Sequence, residues 1–178
     1  FYDMPEWDPH HVEYGEVITF KTGLLKLAYK RFKDDKIHDG YSTNEEFLKE
    51  YEAFREESDW LDDYALFMAG KDYHEGMPWY MWEDSLKKPT PKQYKAWMEK
   101  LADEVDYYRF IQFLFHKQWM AIRDYAHEKG IKIVCDMPIF VAWDSVDVWC
   151  NKKLFDLDSK GYPKTVAGVP PDYFSATG

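Results

Sequence analysis

Asp136, Ser145, Asp172, Tyr173 and Phe174 are the residues of this chain whose types and spacing best fit chemistry. Asp136 follows the apolar run Ile131-Lys132-Ile133-Val134 and Cys135, where a strand would end. Met137-Pro138 would then re-aim the chain and expose the carboxylate. A second acidic turn, Asp144-Ser145-Val146-Asp147-Val148-Trp149, comes within a few residues. Asp172 stands behind Pro170-Pro171, which fix φ and lower the entropy of the loop, and Tyr173 and Phe174 add flat aromatic faces. Carboxylates at strand ends, beside aromatics and turn residues, are how carbohydrate sites are commonly built.

Each of these residues also has a plainer role open to it. Asp136 could cap N–H groups of the following turn, and Asp144 is as good an N-cap, helped by Ser145, as it is a ligand group. Loop 170–175 alone could be a stiff surface loop docked on the core. Trp97 and Trp119 fall within helical patterns and are expected in packing, whereas Trp79 and Trp82 fit either role. His74, His116 and His127 lack metal-site spacing and are expected to be solvated or hydrogen-bonded.

The elements that must position these groups are mostly helical. Residues 1–11, with Pro5 and Pro9, read as a linker, and the apolar spacing from Val12 to about Phe32 predicts a helix. Asp39-Gly40 marks a turn, and Thr43 with Glu46 is a capping-box signal for a helix over about 44–57. Ser58 is expected to cap a third helix, about 59–70, with Asp59, Asp62 and Asp63 in its first turns and Gly70 at its end. Thr90-Pro91 is an N-cap followed by proline at the first helical position. The helical pattern of residues 91–129 is too long for one helix of a globular domain, and a break is expected near Ala102-Asp103. Gly130 closes it and Ile131–Val134 follows as a strand, half of a βαβ unit. The residues alone therefore give a mainly α chain with at least one β-strand, part of a larger α/β architecture.

Composition narrows the partners. The chain is 46% hydrophobic and 31% charged, which is globular and argues against disorder over most of its length. The formal net charge of −10, without a basic cluster, disfavours nucleic acid, which needs phosphate neutralisation. No apolar run approaches the ~20 residues of a membrane helix, so no membrane is expected. Cys135 and Cys150 have no CxxC or Cys/His spacing, so reduced thiols in a cytoplasmic protein are expected, with no metal site. The chain starts at Phe1 and stops at Gly178 inside the proline-rich loop, and the expectation is one piece of a sugar-processing enzyme.

The run Asp136-Met137-Pro138-Ile139-Phe140-Val141-Ala142, the turn Asp144-Ser145…Asp147-Val148-Trp149, and Val166 through Thr177 resemble the amylomaltases. These are 4-α-glucanotransferases, or disproportionating enzymes, of the α-amylase clan. Trp60-Leu61-Asp62-Asp63-Tyr64-Ala65-Leu66-Phe67, Ile111-Gln112-Phe113 and Gln118-Trp119 extend the resemblance, which covers the chain from about Tyr14. Cys135 stands where a glycine is typical, and Trp143 where a small or acidic residue is common.

The resemblance implies an interrupted (β/α)8 barrel. Residues 12–110 would be a helical insertion subdomain, and 111–141 a barrel helix and the third barrel strand. Residues 142–178 would begin a second insertion carrying the substrate-covering loop. The implied reaction is glycosyl transfer between maltodextrins in starch or glycogen metabolism, by retaining double displacement and without a cofactor. The catalytic carboxylates are expected downstream of Gly178, which would leave the isolated chain inactive. Asp136 would contact hydroxyls of the sugar at the cleavage point, and Ser145 would also bind substrate. Asp172, Tyr173 and Phe174 would belong to a lid over the bound glucan. The competing expectations are an α-glucan hydrolase of the same clan and a stand-alone helical carbohydrate-binding or interaction module. Exposed barrel elements would also lead the isolated chain to self-associate.

Overall fold

The computed structural model describes residues 5–37, 45–165 and 168–177. Among them, the helices are α1 (Tyr14–Ile37), α2 (Glu45–Glu57), α3 (Leu61–Tyr73), α4 (Asp84–Lys87), α5 (Pro91–Lys100), α6 (Ala102–Glu128) and α7 (Val146–Cys150). Short 3-10 turns lie at Trp79–Met81 and Lys152–Leu154. The expected turn at Asp39-Gly40 and the Thr43 cap fall outside the described residues.

Local signals set several boundaries. Thr90 Oγ1 accepts from the Gln93 N–H at 3.3 Å and Gln93 Oε1 accepts from the Thr90 N–H at 2.9 Å, a reciprocal capping box before Pro91. The long helical pattern breaks at Leu101, where φ −108° and ψ 28° separate α5 from α6. The end of α6 is a Schellman motif. Gly130 sits at φ +74°, its N–H donates to the His127 carbonyl at 2.9 Å, and that of Ile131 donates to the Ala126 carbonyl at 2.9 Å.

Helix α3 runs through the core with Leu61, Ala65, Leu66, Phe67, Ala69 and Gly70 buried, as expected of a helix that is apolar on most sides. It packs along α6, while α1 and α2 cover the first half of α6. Phe32 stacks on Phe110 with ring centres 4.7 Å apart, and Phe47, Tyr51 and Phe54 surround Phe113 at 5.1 to 5.7 Å. Each such ring contributes about 1.5–3 kcal/mol by burial. Arg109 on α6 clamps Asp62 at 2.7 Å and Asp106 at 2.6 Å, so the acidic first turn of α3 is tied to α6.

Three expectations are corrected. Gly70 does not end α3: a Cβ there would meet the Trp82 ring at 3.0 Å and Leu86 at 3.1 Å, so glycine permits close packing inside the helix. The helix begins later than Ser58, with Trp60 at the N-cap position and no side-chain cap bond. Trp119 is 38% exposed on the outer half of α6 rather than packed in the core.

The fold class is also corrected, for no strand forms among the described residues and the chain is helical. Residues 131–141 are irregular and exposed, with Val134, Met137 and Ile139 about nine-tenths solvent-accessible. A strand requires a neighbour to take its N–H and C=O groups, and among the described residues no strand pairs with this run. The sole pairing of β type in the described residues is an isolated antiparallel bridge between Leu157 and Pro163. No described helix is long and apolar enough to cross a membrane.

Candidate functional site

The segment 142–163 is a small platform fastened to the helical core, and it separates Asp136 from the loop holding Asp172. Trp143 stacks face to face on Tyr80, with ring centres 4.0 Å apart and planes 9° apart. Its indole N–H donates to the Gly161 carbonyl at 2.9 Å, while its own carbonyl accepts from Trp79 Nε1 at 2.9 Å. Asp144 Oδ1 accepts from the Trp79 backbone N–H at 3.1 Å, and Oδ2 pairs with Lys71 Nζ at 2.5 Å. Trp79 and Trp82 are fully enclosed, which settles both as core residues. Trp143 is likewise a packing group.

Ser145 caps α7: its hydroxyl accepts from the Val148 N–H at 3.4 Å. This places Val148 and Trp149 inward, and the Trp149 indole N–H donates to the Leu86 carbonyl at 3.0 Å. Asp158 folds the turn after α7 by accepting from the N–H groups of Tyr162 at 2.9 Å and Lys160 at 2.8 Å. The Tyr162 bond, first among these, holds the Asp158 carboxyl below the usual carboxylate range against the opposing effect of desolvation.

Asp172 has a structural duty within its loop. Oδ1 accepts from the N–H groups of Phe174 at 2.9 Å and Ser175 at 2.8 Å, and the Asp172 N–H donates to the Ser175 carbonyl at 2.9 Å. This Asx turn sets Tyr173 and Phe174 edge to face, 5.5 Å between centres, with 96% and 93% of their surface exposed. Asp136 is exposed and carries no hydrogen bond or ion pair among the described residues. Nor does any hydrogen bond among them join Asp136, Ser145 and residues 172–174 into one cluster. The structure thus gives Ser145 and Asp172 backbone-capping roles, and leaves Asp136, Tyr173 and Phe174 open to solvent.

Sequence reasoning missed a cleft of about 650 Å3 bounded by Asp63, Lys88, Tyr94, Trp149, Cys150 and Lys152. Asp63 had read only as a first-turn acid favoured by the helix dipole, yet it accepts from Tyr94 Oη at 2.9 Å. Burial first, and then Asp63, push the Tyr94 phenol above its ordinary value and the Cys150 thiol up to about 12. His74 is hydrogen-bonded, to the Gly70 carbonyl at 2.7 Å and to Glu83 at 2.5 Å. No group of three or more His, Cys, Asp or Glu able to hold a metal occurs among the described residues.

Comparison with known proteins gives a consistent answer. The sequence profile of the 4-alpha-glucanotransferases matches residues 3–178. The 4-alpha-glucanotransferase of Thermus thermophilus is 44% identical over 98% of this chain and 34% of its own length. The chloroplastic/amyloplastic 4-alpha-glucanotransferase of Solanum tuberosum is 39% identical over 99% of this chain and 30% of its own. An amylomaltase from Streptococcus agalactiae, solved in complex with acarbose, superposes with a TM-score of 0.83 at 33% identity, covering 96% of this chain and 33% of that one. The chain therefore spans about a third of the length of these relatives.

Proposed function

Since this chain belongs to the 4-alpha-glucanotransferase family, we propose that it supplies substrate contacts to an enzyme that moves α-1,4-glucan segments between maltodextrins. The family match over nearly the entire chain carries this reading. The reaction is a retaining double displacement. One carboxylate attacks the anomeric carbon, a second about 5 Å away protonates the leaving oxygen, and a sugar hydroxyl replaces water as acceptor. Those carboxylates are assigned to the part of the relatives that this chain does not span, and the chain alone turns over no glucan.

Within that reaction Asp136, exposed and without a protein partner, accepts hydrogen bonds from sugar hydroxyls at the cleavage point. Ser145, whose oxygen already receives the Val148 N–H, keeps its own O–H free to donate. The loop 168–177 covers the bound glucan, and Tyr173 and Phe174, held outward by the Asp172 turn, stack on sugar rings. Such a cover excludes water and favours a sugar acceptor.

Maltotriose incubated with the chain, beside the Thermus thermophilus relative as control, tests the assignment by chromatography of products. The relative is expected to yield glucose and longer maltodextrins while this chain yields nothing. Disproportionation by this chain alone would place the chemistry on its own carboxylates and overturn the assignment.

The exposed apolar residues of 131–141, with Phe115, Ile122 and Tyr125 on α6, support one more property. The relatives are about three times as long and have further chain with which to cover such a surface. Alone, this chain covers it with a second copy of itself.

A further inference from the structure

The cleft beside α7 holds a cation of unusual circumstances. Lys152 opens the 3-10 turn after α7, and its Nζ donates to the Trp149 carbonyl. The ammonium lies 4.9 Å from the ring centre of Trp79 and 5.5 Å from that of Trp149, so the side chain is held in place by two indole faces. No carboxylate pairs with it among the described residues. Asp63, the acid of the cleft, is taken up by Tyr94 Oη at 2.9 Å. Lys88 lines the same space and adds like charge. Lys71, Lys87 and Lys95, by contrast, each face a carboxylate.

We propose that Lys152 is a reactive amine that condenses with the aldehyde of a small reducing sugar entering this cleft, forming an imine. The volume of about 650 Å3 is that of an ordinary small-molecule pocket. Trp149 and Leu154 give it an apolar wall, and Asn151 gives it a polar partner for hydroxyls. Burial brings the Lys152 amine down to about 8, with Lys88 adding to the effect and Cys150 opposing it. At about pH 7.5 roughly a quarter of such an amine is neutral, against about one in a thousand for an ordinary lysine.

The step balances without a redox partner. The lone pair of neutral Nζ forms the N–C bond at the aldehyde carbon, and the C=O π pair moves to oxygen. That oxygen takes up a proton lost by nitrogen, giving a carbinolamine. Loss of the second N–H proton and of the hydroxyl as water leaves C=N. Amine and aldehyde have become imine and water. This inference does not depend on the glucanotransferase reading, since it concerns a cleft away from Asp136 and the loop 168–177.

The test is reductive trapping on the folded chain at about pH 7.5, with glucose and cyanoborohydride, which converts the imine to a stable secondary amine. Peptide mass mapping is expected to find the adduct on Lys152 about tenfold faster than on Lys95, whose side chain is 81% exposed. The Lys152 rate should rise through a midpoint near 8. Lys152→Arg should abolish that adduct and leave Lys95 labelling unchanged. Equal rates at Lys152 and Lys95, or a Lys152 rate that rises only in the ordinary lysine range, overturn the proposal. So does an equal adduct from methyl glucoside, which has no free aldehyde.

Discussion

Lys71 Nζ lies 2.5 Å from Asp144 Oδ2, and the pair joins the end of α3 to the segment that leads into α7. The two side chains are only 19% and 32% exposed, and the other Asp144 oxygen accepts from the Trp79 N–H at 3.1 Å. One carboxylate thus satisfies a half-buried ammonium and a backbone donor at the start of the Trp79–Met81 turn. This latch fastens the segment that lies between Asp136 and Asp172 in the chain.

Replacing Asp144 with alanine removes the acceptor of the Trp79 N–H and the counter-charge of Lys71, whose Nζ keeps the Gly76 carbonyl at 3.0 Å. The expected loss of stability is about 2 kcal/mol, the cost of leaving a neutral donor without its acceptor and a charged group without its counter-charge. Asp144→Asn keeps an oxygen for the Trp79 N–H and is expected to lose about half as much. Urea unfolding of the three proteins checks the order. Identical midpoints would show that the latch contributes nothing.

Gly161 is held at φ +94°, and a Cβ there would meet the Trp79 ring at 2.8 Å. Gly76 is at φ +81° with nothing within 4 Å of its Cβ position. Gly161→Ala is expected to cost about 3 kcal/mol and Gly76→Ala about 1 kcal/mol, because only the first adds overpacking to left-handed strain. Thermal unfolding of both separates the two effects. A larger cost at Gly76 would contradict the packing of Trp79 described above.

The two cysteines should differ in reactivity. The Cys150 thiol is pushed up to about 12 by burial and by Asp63 beside it, so little thiolate forms near neutrality. Cys135 and Cys150 both reach solvent, so the difference rests on the raised Cys150 thiol and the Asp63 carboxylate beside it rather than on access. With iodoacetamide at about pH 8, Cys135 is expected to alkylate first and Cys150 at least about tenfold more slowly. Asp63→Asn should narrow the gap by removing a charge that opposes the thiolate. Equal rates in the unaltered chain would count against this placement of Cys150.

Acid should weaken the junction between α3 and α4. Desolvation works to raise the Glu83 carboxyl, but its hydrogen bond to His74 and its own backbone N–H outweigh it and leave the group below the ordinary glutamate value. A depressed carboxyl contributes stability that is present above the unfolded value and lost as pH falls through the folded one. Unfolding midpoints should therefore drop below the ordinary glutamate range, and Glu83→Gln should flatten that part of the profile. An unchanged profile in the variant would remove Glu83 as a cause.

Local signals made much of this architecture legible in the sequence. Thr90-Pro91, the break at Leu101 and the Gly130 stop depend on a few neighbouring residues, and each appears where the pattern placed it. What depended on distant partners was not legible. Lys71 and Asp144 are 73 positions apart, and Asp62 finds Arg109 across 47. The run Ile131–Val134 has strand composition, but composition says nothing of whether a neighbouring strand is present to pair with it. Gly70 misled for a related reason: its purpose is the Trp82 ring, twelve residues on, rather than a helix end. Of the site residues, Asp136 is exposed on an irregular segment rather than at the expected strand end, and the capping duties of Ser145 and Asp172 emerge only from their hydrogen bonds.

The same exposed run sets how the isolated chain behaves in solution. Val134 is 91%, Met137 88%, Ile139 88% and Phe140 64% exposed, and Phe115, Ile122 and Tyr125 on α6 are each about three-fifths exposed. Burying apolar surface is worth about 25 cal/mol per Å2, so leaving this much in water favours any arrangement that covers it. The backbone of 131–136 also presents N–H and C=O groups that another copy of the segment can pair with. The net charge of −10 opposes association at separations within the screening length, and raising salt shortens that length and should relieve the opposition. Light scattering is therefore expected to report a dimer or larger species whose population grows with chain concentration and with salt. Val134→Asp together with Ile139→Asp should return the chain to a monomer while leaving its helix content intact, because neither residue touches the core. A monomer that persists at high concentration in the unaltered chain would refute the idea.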